Sequence, residues 1–231
     1  MRRLSYVWTR PPVTRPRSIR RVQIVIPIFD RLTALDAVGP YEVLSRLPGA
    51  EVVFAATEPG PKRTENGALA LHADRALTEV PRPQIVVVPG GFGTRALMHD
   101  EPTLDWLRTA HETTDWTTSV CTGSLLLGAA GILQGLRATG HWLALDMLRE
   151  LGAEPTGERV VEEGKVITAA GVSSGIDMAL RLAEHVAGAD VAQAIQLAIE
   201  YDPQPPFDAG SPEKAPPEIV ERLRGAGVAK A

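Results

Sequence analysis

The chain has 231 residues, of which 44% are hydrophobic, 23% charged and 5% aromatic. This is ordinary globular composition, enough for one full domain with a sizeable core, and it excludes a disordered or fibrous chain. The net charge of −4 hides an asymmetry: seven Arg and no acid fall in residues 1–21, so the rest holds 17 Lys plus Arg against 28 Asp plus Glu, a net of −11. An acidic body argues against nucleic-acid binding by electrostatics. No apolar run is long enough to span a membrane. A single cysteine excludes an internal disulfide framework and a cysteine-cluster metal site.

Residues 1–21 lack a continuous apolar segment and a small-residue cleavage site, so they do not read as a secretory signal. Pro11, Pro12 and Pro16 oppose an amphipathic targeting helix. The segment is expected to be a disordered Arg/Pro-rich leader outside the fold, or the product of an upstream start codon. A basic arm for nucleic acid is its rival reading.

Residues 22–29 (VQIVIPIF) are almost continuously apolar and β-branched, which suits a strand buried on both faces of a parallel sheet. Residues 37–47 carry Val38, Tyr41, Leu44 and Leu47 at helical spacing. A second strand is expected over 51–56 (EVVFAA), and Glu65-Asn66-Gly67 signals a small hairpin between residues 62 and 71. Further strands are expected over 84–88 (QIVVV), 116–120 (WTTSV) and 165–169 (KVITA), and further helices over 103–113, 124–130, 141–151 and 176–186. Alternation of this kind predicts a doubly wound α/β fold over residues 22–202. From residue 203 the chain is Pro-rich and is expected to wrap the surface rather than add to the core.

In open α/β sheets, sites form beyond the carboxyl ends of the strands. Cys121 stands there, between the strand 116–120 and the apolar helix that follows. Gly123 and Ser124 are small enough for a nucleophile elbow, and a helix N-terminus is expected to lower the thiol pKa. The competing reading is an inert buried cysteine. Pro89-Gly90-Gly91-Phe92-Gly93 ends another strand, and the N–H groups of Gly90 and Gly91 could face a substrate as an oxyanion hole, or the loop could be only a tight turn. Its spacing fits neither dinucleotide nor phosphate loops.

Asp36 is either the N-cap of the first helix or a general acid or base beside the thiol, with a pKa raised by like charge. His141, at a helix start twenty residues after Cys121, is either its base or a packed neutral side chain. His72, His99, His111 and His185 have no ligand-like spacing, so they are expected at the surface and no metal is expected.

The segments VQIVIPIFD, TALDAVGPYEVL, VVVPGGFG, SVCTGSLLLGAAGIL, ATGHW, AAGVSSGIDMAL and YDPQPPFDAGSP occur in this order. The ordered set resembles the DJ-1/PfpI superfamily of class I glutamine-amidotransferase-like folds, and within it the isocyanide hydratases. The resemblance covers about residues 22–212. It implies a flavodoxin-like sandwich, a cytoplasmic homodimer acting on a small molecule, and no cofactor. It also implies that Cys121 is the nucleophile, that Asp36 is its acidic partner, and that Gly90 and Gly91 form the oxyanion loop. Thr122 stands where those hydratases have threonine after the cysteine, whereas protease- and deglycase-like relatives often have histidine there. Relatives that regulate transcription carry a further helix-turn-helix pair, for which 231 residues leave no room. The implied reaction hydrates an isocyanide to an N-substituted formamide through a thioimidate on Cys121. Glyoxalase- or deglycase-type stress protection and a non-enzymatic redox sensor are the alternatives.

Overall fold

The computed structural model describes residues 21–228. Apart from Arg21, the expected leader lies outside the described residues.

In chain order the strands are β1 (Val22–Pro27), β2 (Ala50–Ala56), β3 (Gly60–Arg63), β4 (Ala70–Ala73), β5 (Arg75–Ala76), β6 (Ile85–Val88), β7 (Trp116–Val120), β8 (Arg137–Ala138), β9 (Glu154–Pro155), β10 (Val160–Glu163) and β11 (Val166–Ala169). The α-helices are α1 (Ala34–Leu44), α2 (Thr94–Leu97), α3 (Glu101–Thr113), α4 (Gly123–Ala129), α5 (Leu145–Glu150), α6 (Ser174–Ala187), α7 (Ala189–Ala198) and α8 (Pro217–Val228).

Seven strands form one sheet in the order β10-β11-β7-β6-β1-β2-β5. All neighbours are parallel except β10 and β11, which pair antiparallel with Val161 opposite Thr168. The near-continuous apolar runs are explained by burial from both sides: Ile24, Val25, Ile26 and the whole of β6 are shielded from solvent. From β1 the chain moves outward through α1 to β2, then returns to the other side of β1 and moves the opposite way through β6, β7 and β11. Right-handed crossovers therefore put α1 on one face and α3 and α4 on the other. The packing agrees, with α1 against α6 and α6 against α7, while α4 gathers α2, α3 and α5. This is the mostly parallel, helix-flanked sheet expected from the sequence.

The expected hairpin is β3–β4, paired with Lys62 opposite Leu71. The first helix starts three residues earlier than expected, because Thr33, in extended conformation, already ends the preceding loop. The expected helix over 141–151 begins instead as a 3-10 turn over Trp142–Ala144, and α5 starts only at Leu145. The edge strand β10 and helix α7 went unread in the sequence. Residues 202–216 contain no helix or strand; α8 follows, opening on Pro217, where the missing N–H costs nothing.

Candidate active site

Three strand ends meet at the point where the sheet reverses direction. The loop after β1 brings Asp36, the loop after β6 brings Gly90 and Gly91, and the turn after β7 brings Cys121. Such a switch point opens a crevice between loops that leave in opposite directions.

Cys121 sits at a sharp elbow between β7 and α4. Its φ is +58°, a left-handed backbone that a non-glycine residue adopts only when its surroundings impose it. The constraint is visible on both sides. The Cys121 N–H donates to the carbonyls of Ala169 and Ala170 at 3.1 and 2.8 Å, and Ser124 Oγ donates to the Cys121 carbonyl at 3.1 Å. A Cβ on Gly123 would collide with the Val88 carbonyl, so the turn closes against β6 only with glycine there.

Asp36 is not a helix cap. Thr33 holds the cap position of α1, and Asp36 lies in the first turn, fully buried. Its Oδ2 accepts from Gly90 N–H at 2.9 Å, and Oδ1 has no hydrogen-bond partner among the described residues. Burial pushes the carboxyl pKa up to about 7; the Gly90 N–H and the facing Cys121 thiol oppose that rise.

The thiol runs against expectation. Burial is the largest influence and the Asp36 charge the next, and together they push Cys121 up to about 12. The N–H groups of Val172 and Thr122 pull it back but do not win, and Cys121 is only 4% exposed. The helix terminus that was expected to favour a thiolate is therefore outweighed by desolvation and by one neighbouring charge. Neutralising Asp36 removes that repulsion and turns the same carboxyl into a donor. Between about 7 and about 12 the pair holds one proton and one negative charge between them.

Gly90 and Gly91 are in place, but their N–H groups do not face the cavity as expected. Gly90 N–H is spent on Asp36, and Gly91 N–H donates to Thr122 Oγ1 at 2.9 Å. A Cβ at Gly90 would come within 2.5 Å of Thr122 N and 2.9 Å of Asp36 Oδ2, so glycine is needed here for close approach rather than for an open anion hole. The backbone donors that do face the sulfur are Thr122 and Val172. Val172, with φ +28°, was missed in the sequence although the AAGVSSG segment contains it.

His141 lines the same cavity as Cys121, but its Nδ1 accepts from Leu143 N–H at 3.3 Å. Burial and the Arg95 charge hold its pKa below the ordinary value, so it is a neutral wall residue. The cysteine's side-chain partner is Asp36. His111 also departs from expectation: it is half-buried, with Nδ1 2.9 Å from Thr117 Oγ1. Among the described residues no group of three or more His, Cys, Asp or Glu is placed to hold a metal ion.

Above the thiol is a cavity of about 550 Å³, with Phe92, Arg95, Trp142, Met147 and Arg224 among its walls. These come from separate segments, and Arg224 belongs to α8.

The DJ-1/PfpI family profile matches residues 22–185. The chain belongs to the DJ-1/PfpI family. This DJ-1/PfpI chain is 45% identical over 203 residues to an isonitrile hydratase of Pseudomonas putida, a match covering 88% of this chain and 89% of that one. It is 28% identical over 142 residues to a glutathione-independent glyoxalase of Caenorhabditis elegans, covering 61% of this chain and 75% of the other. Among solved structures, a ThiJ/PfpI family protein of Pseudomonas syringae superimposes with a TM-score of 0.88 at 33% identity, over 94% of each chain. The DJ-1/PfpI fold is thus shared along nearly the whole described length.

Proposed function

We propose that the protein is an isocyanide (isonitrile) hydratase that works through Cys121 and Asp36. The observation that carries the substrate class is the likeness to the Pseudomonas putida isonitrile hydratase, 45% identical over 88% of this chain. The geometry supplies the means: a strained elbow thiol facing a buried carboxyl whose pKa stands at about 7.

The pair enters the reaction with one negative charge. The Cys121 sulfur attacks the terminal carbon of R–N≡C, forming the S–C bond, and the Asp36 proton passes to that carbon. The product is a thioimidate, R–N=CH–S–Cys121. Water then adds across C=N to give R–NH–CH(OH)–S–Cys121, with its proton moved through Asp36. Collapse passes the hydroxyl proton to the Asp36 carboxylate, breaks the C–S bond and expels the thiolate, which releases R–NH–CHO and restores the starting pair. Covalent catalysis splits one hard hydration into two easier additions, with no change of oxidation state. The N–H groups of Thr122 and Val172 supply donors to the sulfur as leaving group. Thr122 Oγ1 ties this turn to Gly91 and so positions it.

Burial also weighs against a redox sensor, which needs an exposed thiol of low pKa. A homodimer and a cytoplasmic setting belong to the same proposal. Leu197 and Phe207, 79% and 78% exposed, are apolar surface of the kind that a second copy covers. A lone nucleophilic thiol suits a compartment that keeps it reduced. Light scattering at about twice 24.8 kDa is expected.

The experiment is incubation with an alkyl isocyanide and detection of the N-alkylformamide by mass spectrometry, with methylglyoxal as the comparison. Formamide released by wild type but not by Cys121→Ala supports the proposal. Methylglyoxal consumption without formamide overturns it.

A further inference from the structure

The cavity holds a charge that the proposed reaction does not use. Arg95, on α2, lines it. Its Nε is buried without a hydrogen-bond partner among the described residues, and its Nη1 stands 3.5 Å from Thr94 Oγ1, at the limit of a hydrogen bond. The guanidinium lies 5.7 Å from the centre of the Phe92 ring, which fixes its direction but gives it no acceptor. Among the described residues no carboxylate forms an ion pair with it.

The acids around the cavity are otherwise engaged. Glu65 is exposed and accepts from Thr33 Oγ1 at 3.1 Å. Asp146 is paired with Arg149 at 2.6 Å, and its side chain is 94% exposed. Arg224 reaches the cavity from α8, 5.8 Å from the centre of the Trp142 ring, and already holds Glu221 at 2.8 Å. His141 is neutral, partly because Arg95 is near. Arg95 is therefore a cation of the cavity wall that no carboxylate pairs among the described residues.

A buried guanidinium N–H without an acceptor is costly, and the planar fork of donors to which the Arg95 Nε belongs matches a carboxylate. The isocyanide carbon must reach Cys121 at the cavity floor, so the substituent R occupies the space along these walls. We propose that Arg95 is a specificity residue that binds a carboxylate carried by the substituent of the isocyanide. This rests on the hydratase reading for the reacting group, but the carboxylate site itself stands on the cavity.

The test compares an isocyanoalkanoate with the alkyl isocyanide of the same chain length, in wild type, Arg95→Gln and Arg95→Lys. In parallel, calorimetry compares the two products, a formamidoalkanoate and an N-alkylformamide, as plain ligands of the same proteins. A charge-assisted contact predicts a KM and a product Kd lower by about tenfold or more for the carboxylate member in wild type. The preference collapses in Arg95→Gln and is partly kept in Arg95→Lys. Equal affinities in wild type, or a preference that survives Arg95→Gln, overturns the proposal. If wild type hydrates neither isocyanide, the hydratase reading fails. The calorimetric preference still decides the carboxylate site, since it upholds the site when Arg95→Gln abolishes it and overturns the site when no preference exists.

Discussion

Gly90 N–H donates to Asp36 Oδ2 at 2.9 Å, and this bond links the end of β6 to the first turn of α1 directly beneath Cys121. It leaves Oδ1 buried without a hydrogen-bond partner among the described residues, and in the proposed reaction that oxygen carries the proton. A carboxyl held by one oxygen and free at the other is oriented without being forced to ionise, and burial then keeps it a proton donor near neutrality.

Cys121→Ala is expected to reduce turnover by at least about a thousandfold, as removal of a nucleophile does. The fold should persist, because alanine carries the same Cβ at the same left-handed φ. Cys121→Ser should be nearly as inactive, since an alcohol is far harder to ionise than a thiol. Steady-state rates alongside far-ultraviolet circular dichroism check both; a folded Cys121→Ala enzyme with substantial turnover defeats the covalent route.

The pH profile of kcat/KM should rise through about 7, where the pair loses its first proton, and fall only towards about 12, where the second leaves. Below the lower value both groups are protonated and no anionic sulfur can form. With Asp36→Asn the residual activity should show its acid limb shifted to higher pH, governed by the buried thiol alone. An unmoved limb near 7 in that variant would assign the titration to another group.

Asp36→Asn should cost about 10²–10⁴-fold in rate, the contribution typical of a positioned acid–base group. Its effect on stability has a definite sign. The folded carboxyl's pKa is raised from 3.8 to about 7, so folding takes up protons and wild type loses stability as pH climbs through that window. At about 1.4 kcal/mol per unit the loss approaches roughly 4 kcal/mol. The variant lacks this loss, and its oxygen can still accept from Gly90. Its melting temperature relative to wild type should therefore increase between pH 4 and pH 8. A difference in melting that does not change with pH would contradict the buried-acid assignment.

Gly90→Ala should disable the site without replacing either of the two side chains proposed to react. The added methyl would press on Thr122 N at 2.5 Å and Asp36 Oδ2 at 2.9 Å, and overpacking of this kind costs about 1–3 kcal/mol. Calorimetric unfolding and turnover should both fall, with the rate loss exceeding what reduced folded population explains. Wild-type rate in this variant would mean that the loop yields freely.

The site was legible where local chemistry announces itself. A β-branched run breaking into Cys-Thr-Gly-Ser can hardly be other than a strand entering a helix, and Asp36 after the first strand lands at the same end of the sheet. What one position does to another 54 residues away was not legible, so the destination of the Gly90 N–H was misassigned to the substrate. The thiol pKa went wrong for the same reason: helix termini can be read locally, while depth of burial depends on the whole fold. The cavity walls were hidden because Arg95, Trp142 and Arg224 come from three segments with no shared pattern. Helix α7 follows α6 after Gly188 alone, and that single glycine gave too little punctuation to mark a new element.

Asp36, Gly90 and Cys121 hang from β1, β6 and β7, which lie side by side in the sheet but are far apart along the chain. No helix or hairpin of this protein contains two of them. A refolding chain can thus regain most of its helical signal while Cys121 still behaves as an ordinary cysteine. As the only thiol in the sequence, it gives a clock for the last stage of assembly: its alkylation rate should collapse at the moment the three strands come into register.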